Sequence, residues 1–194
     1  MRLRALVVAL LLIAVAGITW RSQLWTVARP GDGPEALRLL ATGTRTPVRI
    51  DVTLPSVPVG MEHLESGRGI LLIHYWAPWE HAGRDQAALL DSLRQLPEME
   101  GLRVAVVCFD PFPSVARFVA RQGLRLSVLM DHRAMLREVL PCPSVPFTYV
   151  VDASGRLAVV QAGEVDWLAL ETRAALKALL AERAGPAELP GPPL

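Results

Sequence analysis

The residues best suited to chemistry are Cys108, Cys142, four histidines and a polar run, Glu80-His81-Ala82-Gly83-Arg84. Dithiol exchange needs a thiolate and a second thiol close enough to resolve the mixed disulfide. Cys108 and Cys142 lie far apart in the chain and form no CxxC, so they fit neither a disulfide-dense scaffold nor a zinc ribbon. Two readings remain: a Cys108–Cys142 disulfide, or two isolated cysteines packed as small apolar side chains, which is the one favoured. His63, His74, His81 and His132 are scattered, whereas metal ligation needs donors that converge. No metal site and no cofactor are expected, and His74, inside an apolar run, reads as a core histidine. There is no Gly-rich phosphate loop and no Gly-x-Ser-x-Gly element. Glu80 and Arg84 have i,i+4 spacing, but such a pair contributes only about 0.2–0.5 kcal/mol and is no sign of catalysis.

These residues are held by an alternation of strands and helices. Val48, Ile50, Val52 and Leu54 alternate with polar residues, which predicts a half-buried strand ended by Pro55 and Pro58. Ile70 to Trp76 is nearly continuous apolar sequence, as in a strand buried on both faces of a parallel sheet. A helix is expected from about His81 to Pro97, then a second buried strand over 102–109. Ser114 is positioned to cap a helix that Gly123 ends. A short extended stretch over 126–130 precedes a helix capped by Asp131 and reaching Leu140. Pro141 to Pro146 is a proline-rich loop. Phe147 to Val151, the turn Asp152-Ala153-Ser154-Gly155 and Leu157 to Gln161 form a hairpin signature, after which comes an amphipathic helix over 168–183. The order predicts an α/β fold with a parallel core and antiparallel edges.

The chain has 194 residues, a net charge of +1 and 20% charged residues, so nothing suggests a nucleic-acid surface. Much of its 52% hydrophobic content sits at the N-terminus, where Ala5 to Trp20 carries no charge and is flanked by Arg2, Arg4 and Arg21. This run reads as an uncleaved anchor helix or as a signal peptide cleaved after Ala14-Val15-Ala16. Either exports the remainder of the chain, and Arg2 and Arg4 favour a cytoplasmic N-terminus. Residues 1–24 are thus a signal anchor or signal peptide and 25–46 a linker. Residues 47–184 form the folded domain, and 185–194 a Pro/Gly-rich tail expected to be disordered.

Four stretches carry a family likeness. They are Tyr75-Trp76-Ala77-Pro78-Trp79; Val104 to Asp110 with the helix after it; Gly123 to Asp131; and Val145 to Asp152 with Gly155 beyond it. Over about residues 46–182 the chain resembles the thioredoxin superfamily, and more narrowly its membrane-anchored TlpA/ResA-like thiol-disulfide group. The resemblance implies a thioredoxin-like fold, a central mixed sheet flanked by helices, here preceded by an N-terminal hydrophobic helix. It implies that Glu80 and Gly83 stand where the family carries its two redox cysteines, so the usual dithiol mechanism is excluded. It also implies a cis Pro146, with Val145 offering backbone hydrogen bonds to an extended substrate. In the family's sheet order the strands bearing Cys108 and Pro146 flank the central one. Two strand spacings are about 9.6 Å, beyond the roughly 7 Å a disulfide spans, although Cys142 sits in a loop free to fold over.

Three functional readings are open. The first is a redox-inactive domain at the outer membrane face that binds exported or membrane proteins through a groove at Trp79, Glu80, His81, Val145, Pro146 and Phe147. On this reading Glu80 either imitates the thiolate charge at a helix N-terminus or is a tolerated polar residue, and Trp76 either joins the groove or belongs to the core. The second is an oxidoreductase of the cytochrome c maturation type using Cys142 or Cys108. The third leaves partner contact to the anchor segment, residues 5–20. The expected location is the inner membrane, single-pass, with the domain facing the periplasm; a secreted form after cleavage is the alternative.

Overall fold

The structure, a computed structural model, describes residues 33–58, 60–79 and 81–182, and for 81–84 the backbone alone. The expected anchor, the C-terminal tail and Glu80 lie outside the described residues. Seven strands form one mixed sheet: β1 (Asp51–Val57), β2 (Gly60–Glu65), β3 (Leu71–Tyr75), β4 (Arg103–Cys108), β5 (Val128–Met130), β6 (Phe147–Val151) and β7 (Leu157–Ala162). Among the described residues four α-helices accompany them: α1 (His81–Arg94), α2 (Phe112–Gln122), α3 (Met135–Val139) and α4 (Leu170–Ala181). The strand order is β2-β1-β5-β4-β3-β6-β7. β3, β4 and β5 are parallel, and β6, β7, β1 and β2 add antiparallel pairings on the two sides.

All five residues of β3 are buried because it is central and covered on both faces. Side chains alternate across a sheet, so successive residues enter different cores. Leu72, Trp76, Val106, Cys108 and Val150 pack beneath α1, α2 and α4, against Leu90, Phe118 and Leu176. Leu71, Ile73, Tyr75, Val107 and Tyr149 face the other way, toward Leu136, Leu140 and Ile50. Gly123 ends α2 at φ +61°, in the left-handed region where a Cβ is strained.

Several expectations change. β1 runs through Pro55, and β2, which the sequence reading lacked, pairs with it along its whole length. Pro55 is tolerated because β5 reaches only Ser56 and Val57, leaving β1 an edge on that side at position 55. α2 starts at Phe112 behind Pro111, with no side-chain cap, rather than at Ser114. α3 starts only at Met135, yet Asp131 still caps it: its carboxylate accepts from the amides of Leu136 (3.3 Å) and Arg137 (3.1 Å).

The segment read as a linker is part of the domain from Gly33 onward. The Leu37 side chain enters the core and its amide donates to Thr172 Oγ1 at 3.1 Å. The Leu40 amide donates to the Ala158 carbonyl, and the Leu157 amide to that of Thr46, covering the outer edge of β7. Arg45, 4% exposed, is held by Asp152 Oδ2 at 3.1 Å, by both Glu182 carboxylate oxygens and by the Leu40 carbonyl. One buried guanidinium thereby joins the N-terminal segment, the β6–β7 turn and the end of α4. Among the described residues no helix is long and apolar enough to cross a membrane.

Candidate functional site

The C-terminal ends of β3, β4 and β5 and the N-terminal end of β6 meet at one end of the sheet, because β3 and β6 are antiparallel with Tyr75 opposite Phe147. That register sets the loop after β3, with Trp79, beside the loop before β6, with Val145 and Pro146. Trp76 is fully buried against Phe118, ring centroids 4.6 Å apart, so it is core. Trp79 is 60% exposed. His81 and Gly83 occupy the first turn of α1.

The proline-rich loop is fastened from below by two tyrosines. Tyr75 donates its hydroxyl to the Leu140 carbonyl at 2.9 Å, and Tyr149 to that of Pro141 at 2.6 Å. Burial raises both phenol pKa values, so both remain protonated donors. The Val145–Pro146 peptide is cis, and the Gly163 amide donates to the Pro146 carbonyl at 2.9 Å. Among the described residues, neither the amide nor the carbonyl of Val145 has a hydrogen-bond partner, although the residue is half-buried. A half-buried main-chain donor and acceptor without partners can pair with an incoming extended strand. Pro146 and Phe147 themselves are buried, and Phe147 packs on Tyr149 with centroids 5.0 Å apart.

Both cysteines are free. Strand parity separates them: Cys108, ending β4, points into the core under α1 and α2, whereas Cys142 packs against the opposite one beside Tyr75 and Tyr149. The sheet lies between the two thiols, so they do not form a substitute redox pair. The Cys108 thiol donates to Asp110 Oδ2 at 3.5 Å, and burial pushes it up to about 12. Burial also pushes Cys142 up to about 12, with the Arg137 guanidinium pulling the other way, and its thiol donates to the Ser144 carbonyl at 3.0 Å. Neither environment favours a thiolate.

His74 is fully buried in β3. Its Nδ1 lies 3.0 Å from Thr148 Oγ1, its ring meets Trp167 edge-on at 5.6 Å, and its Nε2 has no partner. Burial lowers its pKa to about 3, so it is a neutral core histidine. His63 pairs with Thr53 at the β1–β2 edge, and His132 is exposed. Among the described residues no three His, Cys, Asp or Glu side chains converge as a metal site would require.

The sequence reading missed two arginine features. Arg137 stacks its guanidinium over Phe109 at 4.5 Å while its Nη2 donates to the Asp131 carbonyl. Arg117 and Arg121, on the outer stripe of α2, border a cleft with Pro78, Trp79, Asp110 and Ser114. Their i,i+4 spacing was legible, but which face of α2 meets Trp79 is set by packing.

No family model matches the chain, and no curated protein matches it. Solved structures do. A putative thiol:disulfide interchange protein DsbE from Chlorobium tepidum is 20% identical, with a TM-score of 0.59 over 68% of this chain and 97% of that one. StoA from Bacillus subtilis is 12% identical, TM-score 0.57, over 69% and 98%. A peroxiredoxin-like protein from Aquifex aeolicus is 16% identical, TM-score 0.56, over 74% and 92%. At these identities the likeness concerns the fold, and with the mixed sheet and its flanking helices it leads to one conclusion: this chain has the thioredoxin-like fold.

Proposed function

We propose that this protein is a redox-inactive thioredoxin-like domain, tethered at the extracytoplasmic membrane face by residues 5–20, that binds exported or membrane polypeptides and assists their assembly. The observation that carries the reading is the disposition of thiols. Positions 80 and 83 hold Glu and Gly, and the only two cysteines lie on opposite faces of the sheet, both free and both raised by burial. Two elements that could receive a polypeptide stand at the same end of the sheet: an exposed Trp79, and a Val145 main chain with no hydrogen-bond partner among the described residues. The membrane location is argued from the charge-free run Ala5 to Trp20 and from Arg2 and Arg4 before it. The competing reading, a Cys142-based oxidoreductase, needs a reactive thiolate that its buried surroundings disfavour.

The test is insulin reduction by the purified full chain and by its Cys108→Ser and Cys142→Ser variants, with a photo-crosslinking residue at position 79 in parallel. Expected are no turnover in any form and a polypeptide adduct at position 79. Turnover abolished by either serine variant would sink the proposal.

A further inference from the structure

The cleft beside Trp79 differs in character from the rest of this end of the domain. It is lined by Pro78, Trp79, Asp110, Ser114, Arg117 and Arg121 and has a volume of about 310 Å³. That is the lower limit of the 300–1,000 Å³ usual for small-molecule sites and suits one or two side chains better than a cofactor. One wall is the exposed indole. The other is α2, whose residues 114, 117 and 121 share one stripe of the helix.

Among the described residues, neither Arg117 nor Arg121 has a carboxylate partner. Each is steadied by its Nε, which donates one turn back: Arg117 to the Pro113 carbonyl at 3.1 Å and Arg121 to the Arg117 carbonyl at 3.3 Å. The outer nitrogens of each fork are left for an external acceptor. Among the described lining residues Asp110 is the one carboxylate, and it is turned to Cys108: its carboxylate accepts from the thiol, and the Asp110 amide donates back to the sulfur at 3.4 Å. Among the described lining residues, two cations stand over one occupied anion. Exposed Trp and Arg together are the side chains that dominate protein interfaces.

We propose that this cleft docks an acidic polypeptide segment, with an apolar side chain on the Trp79 indole and carboxylates on Arg117 and Arg121. The inference rests on the polypeptide-binding reading above and names the chemistry of its partner. Planar, bidentate guanidinium–carboxylate pairing supplies the selectivity, and the indole supplies contact area.

The test uses the full chain in non-ionic detergent and three fluorescein-labelled peptides, alike except that the residues flanking a central Phe are Glu, Ser or Lys. Anisotropy should rank them Glu, Ser, Lys from tightest to weakest, with the Glu advantage shrinking as salt rises. The double variant R117E/R121E should weaken the Glu peptide about tenfold and bring the Lys peptide above it. Trp79→Ala should weaken all three. Because the peptide charge is varied on the wild-type chain, the result does not depend on any variant folding. Equal binding of all three peptides would overturn the acidic preference and leave polypeptide docking standing. Binding of none would overturn both. Displacement of the Glu peptide by equimolar inorganic phosphate would make this a small-anion site and overturn the inference.

Discussion

Acidification should destabilise the domain through His74 in a pH range that belongs to that residue. Burial holds its folded pKa near 3 against an ordinary 6.5. An unfolded chain therefore takes up a proton on this imidazole below about pH 6.5 that the folded chain refuses. With a depressed pKa on a base, the contribution to stability is whole above 6.5 and lost as pH falls toward 3. The slope is about 1.4 kcal/mol per pH unit, so about 2–3 kcal/mol should be gone by pH 4.5. Asp152 acts lower: burial opposes its charge, but hydrogen bonds from Ser154, Arg156 and Arg45 outweigh this and hold it below its usual range. Its contribution is present above its unfolded value, about 3.9, and is lost beneath it. Between about pH 6.5 and 4.5 the His74 contribution falls while that of Asp152 is still in place. The assay is urea unfolding of the full chain in detergent at pH 7.5 and 4.5, monitored by Trp fluorescence, for wild type and His74→Asn. The variant should be weaker at pH 7.5 but lose about 2 kcal/mol less between the two pH values than wild type does. Equal losses in the two proteins would refute the reasoning.

Three further outcomes can be checked. Arg45→Met should cost about 3–5 kcal/mol in a denaturant titration, because it strands the buried Asp152 carboxylate, whereas Glu182→Gln, altering a half-exposed partner, should cost under about 1 kcal/mol. Gln86→Leu should lower stability by about 1–3 kcal/mol per stranded group. Its Oε1 accepts from Trp167 Nε1 and the Val165 amide, and its Nε2 donates to the Val165 carbonyl. Iodoacetamide should modify Cys108 and Cys142 in the folded chain at least about 100-fold more slowly than a free thiol at pH 8, with mass spectrometry as readout; rapid labelling at mildly acidic pH would contradict their environments.

The sequence by itself determined the centre of this protein. β3 and β4 are runs of apolar residues that only burial on both faces can satisfy, and Gly123, the turn at Asp152 to Gly155 and Pro146 punctuate the chain where the structure does. It also determined the absence of a redox cysteine at positions 80 and 83, which is a matter of composition. Local pattern failed where long-range contacts decide. β2 reads GMEHLE, too polar to announce a strand, and exists because β1 supplies its hydrogen bonds. Residues 33–46 look like a linker until Arg45 meets Asp152 and Glu182, partners more than a hundred residues away. Only the tertiary structure put Cys108 and Cys142 on opposite faces of the sheet, since side-chain parity acquires a direction only once neighbouring strands are in register. It alone turned Arg117 and Arg121 toward Trp79, because the buried stripe of α2, Val115, Phe118 and Val119, fixes which remaining face looks onto the loop after β3.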